Sequence, residues 1–271
     1  MSATLSLSAE TVEEAIRTHL VKAFADVRLD RDPFSHVYVE SAFPPDLYPV
    51  ILDALPDTGL YTPDNPRKYA KTAAPQRPPS RASSLVEGLL HVSSSRYTLP
   101  LSEGGLARLP DSIRAVWTGV AAALRSPELK AQIFERFADD LSGRFRTDRA
   151  ALERIDAHPR PTLIRDFSGY WIAPHPDTRA KIVTVQFYLA RDRSQRDLGT
   201  TLYRRDLLNP RNLLSLKNMF QKVRQMEFLP NSGYAFPVGR HSWHGREAIP
   251  EASGERNSIL LFYYRDASRE W

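Results

Sequence analysis

Tyr170-Trp-Ile-Ala-Pro-His-Pro-Asp177, joined far downstream by Ser242-Trp-His-Gly245, is the part of the chain on which fold and chemistry turn. A His and an Asp two positions apart at a strand end can point to the same side, because side chains alternate along a strand. His175 and Asp177 are such a pair, and a third ligand from another strand would complete one face of an octahedron. His241 and His244, on either side of Trp243, are the candidates for that third ligand. Two histidines and a carboxylate leave three adjacent positions open, an arrangement that suits non-haem iron(II). Those positions can take a bidentate 2-oxo acid and dioxygen. A His-x-Asp pair alone arises by chance in many chains, so its surroundings decide. Arg256 lies twelve residues beyond His244, and Ser258 follows on the same strand face. A guanidinium fork beside a hydroxyl is a ready receptor for a carboxylate.

Outward from that segment, the second half reads as strands. Leu163–Ala173, Lys181–Ala190, Thr200–Tyr203, Phe228–Leu229, Tyr234–Pro237 and Asn257–Tyr264 are rich in β-branched and aromatic residues and bounded by Gly, Pro or Asn. The first half is helical. Residues 9–27 place Val12, Ile16, Leu20 and Phe24 at four-residue spacing. After a short strand, His36-Val-Tyr-Val-Glu40, the turn Phe43-Pro-Pro-Asp46 opens a second helix carrying Leu47, Val50, Ile51 and Leu55. Leu109 to Leu141 is helical again, broken at Ser126-Pro127. Residues 57–82, with five prolines, read as a long irregular loop, and Leu207–Val223 as an insertion of unassigned structure. The expected fold is α+β: a β-sandwich or jelly roll with helices over one sheet. One domain spans 1–271, with 1–160 as helical support and loop and 161–271 as the catalytic core.

Composition narrows the chemistry. The 271 residues are 42% hydrophobic and 25% charged, as in an ordinary globular protein. There is no cysteine, which excludes disulfides and thiolate metal sites, so a metal must use His, Asp, Glu, carbonyl oxygen or water. The net charge of +5 is spread among 32 acids without a basic block, which points away from nucleic acid. No apolar run is long enough to span a membrane, and the opening residues lack a signal-peptide pattern, so a cytoplasmic location is expected.

With these residues in hand, the chain resembles the iron(II)/2-oxoglutarate-dependent oxygenase superfamily, particularly its prolyl-4-hydroxylase-like branch. The resemblance is clearest from Leu163 to Tyr264. It rests on Gly169 to Asp177, Lys181 to Leu189, Gly199-Thr-Thr-Leu-Tyr203, Phe236, Ser242-Trp-His-Gly245 and Arg256-Asn-Ser258. The resemblance implies a double-stranded β-helix, cupin-like in form, with Fe(II) held by His175, Asp177 and His244. It also implies that Arg256 binds the distal carboxylate of 2-oxoglutarate, helped by Ser258. Tyr188 matches a position whose phenol often touches that carboxylate. Thr184 and Gln186 share its alternation, and Arg165 matches a cosubstrate- or substrate-binding position. The implied reaction is hydroxylation by O2 of a C–H bond in a small, acidic or amino-acid-like natural-product intermediate, with succinate formed from 2-oxoglutarate. Arg67, Arg77, Arg204 and Arg205, in the segments 57–82 and 204–227, are the arginines expected to read that acid, with both segments as lids. A peptide-residue hydroxylase and a non-catalytic cupin-like binding module are the alternatives, and oligomeric state is left open.

Overall fold

The computed structural model describes residues 8–64, 95–205 and 219–267. Its first helix, α1 (Ala9–Asp26), begins where Ser8 Oγ accepts a hydrogen bond from the Thr11 amide, and it buries Val12, Ile16, Leu20 and Phe24. The short helices α2 (Leu47–Asp53) and α3 (Glu103–Ala107) lead to α4 (Asp111–Arg125). Helices α1 and α4 pack closely because residue 119 is glycine. A Cβ there would lie 2.4 Å from the Ala9 carbonyl oxygen and 2.7 Å from Val12 Cβ. Ser126 then caps α5 (Pro127–Arg136), whose first-turn proline suits a position with no amide partner to lose, and α6 (Ala138–Phe145) follows.

The strands form two antiparallel sheets. In chain order they are β1 (Leu29–Asp30), β2 (His36–Val39), β3 (Thr62–Pro63), β4 (Arg96–Pro100), β5 (His158–Asp166), β6 (Ile172–His175), β7 (Lys181–Tyr188), β8 (Thr200–Arg205), β9 (Phe220–Met226), β10 (Gly233–Pro237), β11 (His244–Arg246) and β12 (Arg256–Tyr264). Eight lie in the order β1-β2-β10-β7-β12-β5-β4-β3, and four in the order β6-β11-β8-β9. Alternation divides each strand of the large sheet between two cores. Val183, Val185 and Phe187 of β7, with Ile259, Leu261 and Tyr263 of β12, pack with Trp117 and Phe134 of the helices. Tyr188, Tyr234, Phe236, Leu202 and Phe228 make a second cluster with Tyr170. This is the expected α+β architecture, a double-stranded β-helix with helices on one face.

Some boundaries differ from the sequence expectation. The stretch read as one strand, Leu163–Ala173, is two strands in different sheets, separated by a turn with Gly169 at φ +78°. Phe228–Leu229 is not a strand: Phe228 is a buried core residue, and the preceding Phe220–Met226 pairs with β8. Strands β2 and β4 come from the half read as support and complete the large sheet. Of the loop expected at 57–82, Thr58–Leu60 is a 3-10 turn and Thr62–Pro63 is β3. Residues 65–82, with Arg67 and Arg77, and 206–218 lie outside the described residues. No described helix is long and apolar enough to cross a membrane.

Candidate active site

His175 closes β6 and His244 opens β11, and the two residues are direct cross-strand partners. Their ring centroids are 4.5 Å apart. Gly245 permits this approach, since a Cβ there would meet the Ile172 carbonyl oxygen at 2.8 Å and Pro174 N at 3.0 Å. Asp177, just beyond β6, brings one carboxylate oxygen 3.8 Å from His244 Nε2. One ligand atom from each of His175, Asp177 and His244 lies within 4.8 Å of the others. His241 is exposed in the preceding turn and is not part of the group.

The hydrogen bonds around the group settle which atoms are presented. His175 Nδ1 donates to the Ala173 carbonyl at 2.8 Å and His244 Nδ1 to the Ser242 carbonyl at 3.0 Å. A carbonyl can only accept, so each neutral ring carries its proton on Nδ1 and offers the Nε2 lone pair. Burial, then the neighbouring His175, lowers the His244 pKa to about 4, and burial lowers that of His175 as well. Both are therefore uncharged at neutral pH. Burial alone would raise the Asp177 carboxyl, but the Lys181 ammonium, His244 and the hydrogen bonds from Lys181 and Thr184 together hold it well below the usual carboxylate range. Lys181 Nζ lies 2.6 Å from Oδ1, and Thr184 Oγ1 donates to Oδ2 at 2.7 Å. Two neutral imidazoles and one ionised carboxylate fit a divalent metal of the iron class.

The three residues line a cavity of about 470 Å³ between the sheets. Arg96, Arg160, Arg246 and Arg256 line it too, with Lys181, Phe262 and Tyr264. Arg256 is 1% exposed; its Nη1 donates to Asp166 at 2.7 Å, and its guanidinium lies over the Tyr188 and Phe228 rings. Arg96 grips the same carboxylate with two bonds, at 2.6 and 2.9 Å.

The other expected residues fall into three groups. Thr184 lines the cavity, with its hydroxyl on Asp177. Tyr188 and Ser258, expected to touch the cosubstrate, are fully buried and do not line the cavity. Tyr188 Oη accepts from the Thr200 amide, and Ser258 Oγ accepts from Gln186 Nε2 at 2.8 Å. Arg165 departs from expectation. It alternates with Ile164 and Asp166 and so faces away from the cavity, donating to Asn257 Oδ1, Thr58 Oγ1 and the Pro56 carbonyl beneath the Tyr61 ring. Arg204 and Arg205 do not line the cavity either; they meet Asp32 and the Trp243 ring. The sequence reading passed over Arg96, Arg160, Arg246 and Lys181. Strand alternation alone carried a signal for Arg246, which shares a face with His244.

Fold and site together define a double-stranded β-helix carrying two histidines and a carboxylate whose ligand atoms converge as a metal site requires. No protein-family model matches the chain, and comparison with curated proteins returns no match. Similar solved structures include a prolyl-4-hydroxylase from Pseudomonas putida, 11% identical over 93% of this chain and 100% of that one, with a TM-score of 0.45. The dioxygenase for auxin oxidation 1 from Arabidopsis thaliana, in complex with 2-oxoglutarate, is 11% identical over 99% and 93%, with a TM-score of 0.48. The α-ketoglutarate-dependent carbocyclase SnoK of nogalamycin biosynthesis is 10% identical over 95% and 86%, with a TM-score of 0.44. With similarities this distant, the chemistry has to be read from the side chains themselves.

Proposed function

We propose that the chain is an iron(II)- and 2-oxoglutarate-dependent oxygenase acting on a small, anionic molecule. The observation that carries this reading is the triad His175, Asp177 and His244, with both Nε2 atoms presented, in a cavity shared with the buried Arg256. Iron(II) held there supplies dioxygen activation coupled to decarboxylation of the 2-oxo acid. The chain's own residues do the rest. The backbone carbonyls of Ala173 and Ser242 fix the imidazole tautomers, and Lys181 and Thr184 fix the carboxylate. Arg256 binds the distal carboxylate of the cosubstrate, and the aromatic cluster around Tyr188, Phe228 and Phe236 keeps that part of the cavity dry.

A cavity of about 470 Å³ is the size of a small-molecule site, roughly 300–1,000 Å³. On the β5–β12–β7 side of the cavity, the Arg160 guanidinium lies over the Tyr264 ring and the Lys181 ammonium 3.6 Å from the Phe262 ring centroid. Cations on aromatic faces suit a substrate with a flat or apolar body and an acidic group, which supports the natural-product reading over a peptide.

Anaerobic addition of 2-oxoglutarate to the iron(II)-loaded protein should give a weak visible charge-transfer band. Iron bound with no band would refute the cosubstrate assignment. His175→Ala should abolish metal binding and His241→Ala should spare it; the reverse would mean the ligand set is wrong. Arg256→Ala should weaken 2-oxoglutarate by roughly 2–5 kcal/mol, the loss for one partner of a buried charged pair.

A further inference from the structure

Among the described residues, twelve buried side-chain nitrogen and oxygen atoms have no hydrogen-bond partner, and six of them belong to residues lining this one cavity. They are Nε and Nη2 of Arg246, Nε and Nη2 of Arg256, Tyr170 Oη and Thr162 Oγ1. Orphaned donors are rare in folded proteins because each costs its full desolvation. Four guanidinium N–H-bearing atoms in one cavity therefore mark the place of an absent acceptor.

Charge points the same way. Arg96 and Arg256 share the fully buried Asp166 as counter-ion, while of the two carboxylates lining the cavity Asp177 is taken by Lys181 and Asp64 is exposed. The Asp166 oxygens already accept two bonds from Arg96 and one from Arg256. Tyr188 Oη is engaged by the Thr200 amide and the Met226 carbonyl. Arg246 is 6% exposed and two residues beyond His244 on the short strand β11, which aims it into the cavity.

We propose that Arg246 is a second carboxylate-binding residue, so that one carboxylate group bridges the free edges of Arg246 and Arg256. Resting on the oxygenase reading, this makes the ligand the distal carboxylate of the 2-oxo acid. Asp166 and Arg96 are positioning residues: they pin one edge of Arg256 and leave the other for the ligand. Arg246 has no such pin among the described residues, and its partner is the ligand itself.

Calorimetric titration of the full chain with succinate, with a chelator present, reads the site without metal. Arg246→Met should bind succinate at least tenfold more weakly than the parent, and Arg246→Lys should recover part of the loss. The ligand-free Arg246→Met protein should melt no lower than the parent, because an uncompensated buried charge has gone. Loaded with iron, it should show a raised KM for 2-oxoglutarate with kcat largely kept. Unchanged succinate affinity in Arg246→Met overturns the proposal. So does a parent that takes up no succinate, or a variant that fails to fold. If succinate binds as expected but iron(II) and 2-oxoglutarate give no turnover, the carboxylate site stands and the oxygenase reading falls.

Discussion

Lys181 holds the carboxylate of the proposed metal site by its far oxygen. Its Nζ takes Oδ1 of Asp177 at 2.6 Å, and Oδ2 is left facing His244 Nε2. The ammonium is itself braced on the Phe262 ring. Partners of metal ligands typically matter about 10- to 100-fold in metal affinity, by fixing the ligand's orientation. Lys181→Met should therefore weaken anaerobic iron(II) binding by about tenfold, and Lys181→Arg should keep most of it. Equal affinity in Lys181→Met and the parent would show that Thr184 alone orients the carboxylate. At this scale the sequence was informative about which residues converge and silent about their partners. His175 and Asp177 were legible as a pair because their spacing is short-range, whereas His244 joined them through the resemblance of Ser242-Trp-His-Gly245. The approach of Lys181 to Asp177 depends on how residues 178–180 turn, and nothing in their side chains encodes that. Arg165 misled for the same reason: its distance from His175 matched a binding position, but its parity on β5 turned it to the other face.

Strands β6 and β11 act as one jaw, and their separation sets the gap between the two imidazoles. Gly245 fixes that separation, since any larger residue would strike the β6 backbone rather than a movable side chain. Gly245→Ala should push the strands apart and cost roughly 1–3 kcal/mol of stability, as overpacking does. It should lower iron(II) affinity well beyond what that stability loss explains. A variant that melts lower and binds iron normally would separate strand spacing from ligand spacing. A second element steadies the same region. Arg144 of α6 donates to the backbone carbonyls of Arg179, Lys181, Ile182 and Val238, tying the helix layer to the loop that carries Asp177. Periodicity announced α1 and α4 and the central strands. It missed β4 and β11, since β4 opens on an arginine and ends on a proline and β11 has only three residues, too short for a periodic signal.

For the molecule as a whole, the buried His244 makes stability depend on acidity when no metal is bound. The His244 pKa is about 4 in the folded chain against an ordinary 6.5. Between those values the unfolded chain binds a proton that the folded one refuses, so stability falls as the pH drops through that window. The gap corresponds to roughly 3 kcal/mol. His175 acts in the same direction, and Asp177, depressed when folded, extends the loss to lower pH. Urea unfolding of the metal-free protein should lose about that much between pH 7 and pH 4, and His244→Asn should flatten the slope. An unchanged slope in that variant would place the acid sensitivity elsewhere.

The position of β12 carries a consequence in time. It lies between β7 and β5, at the middle of the large sheet, although it is made after every other described strand. Until it inserts, β7 and β5 have no common neighbour, and the cavity lacks Arg256. A growing chain can bring His175, Asp177 and His244 together while the guanidinium of Arg256 is still missing from their cavity. Arrival of β12 is therefore the step that closes the cavity wall and sets Arg256 against Asp166.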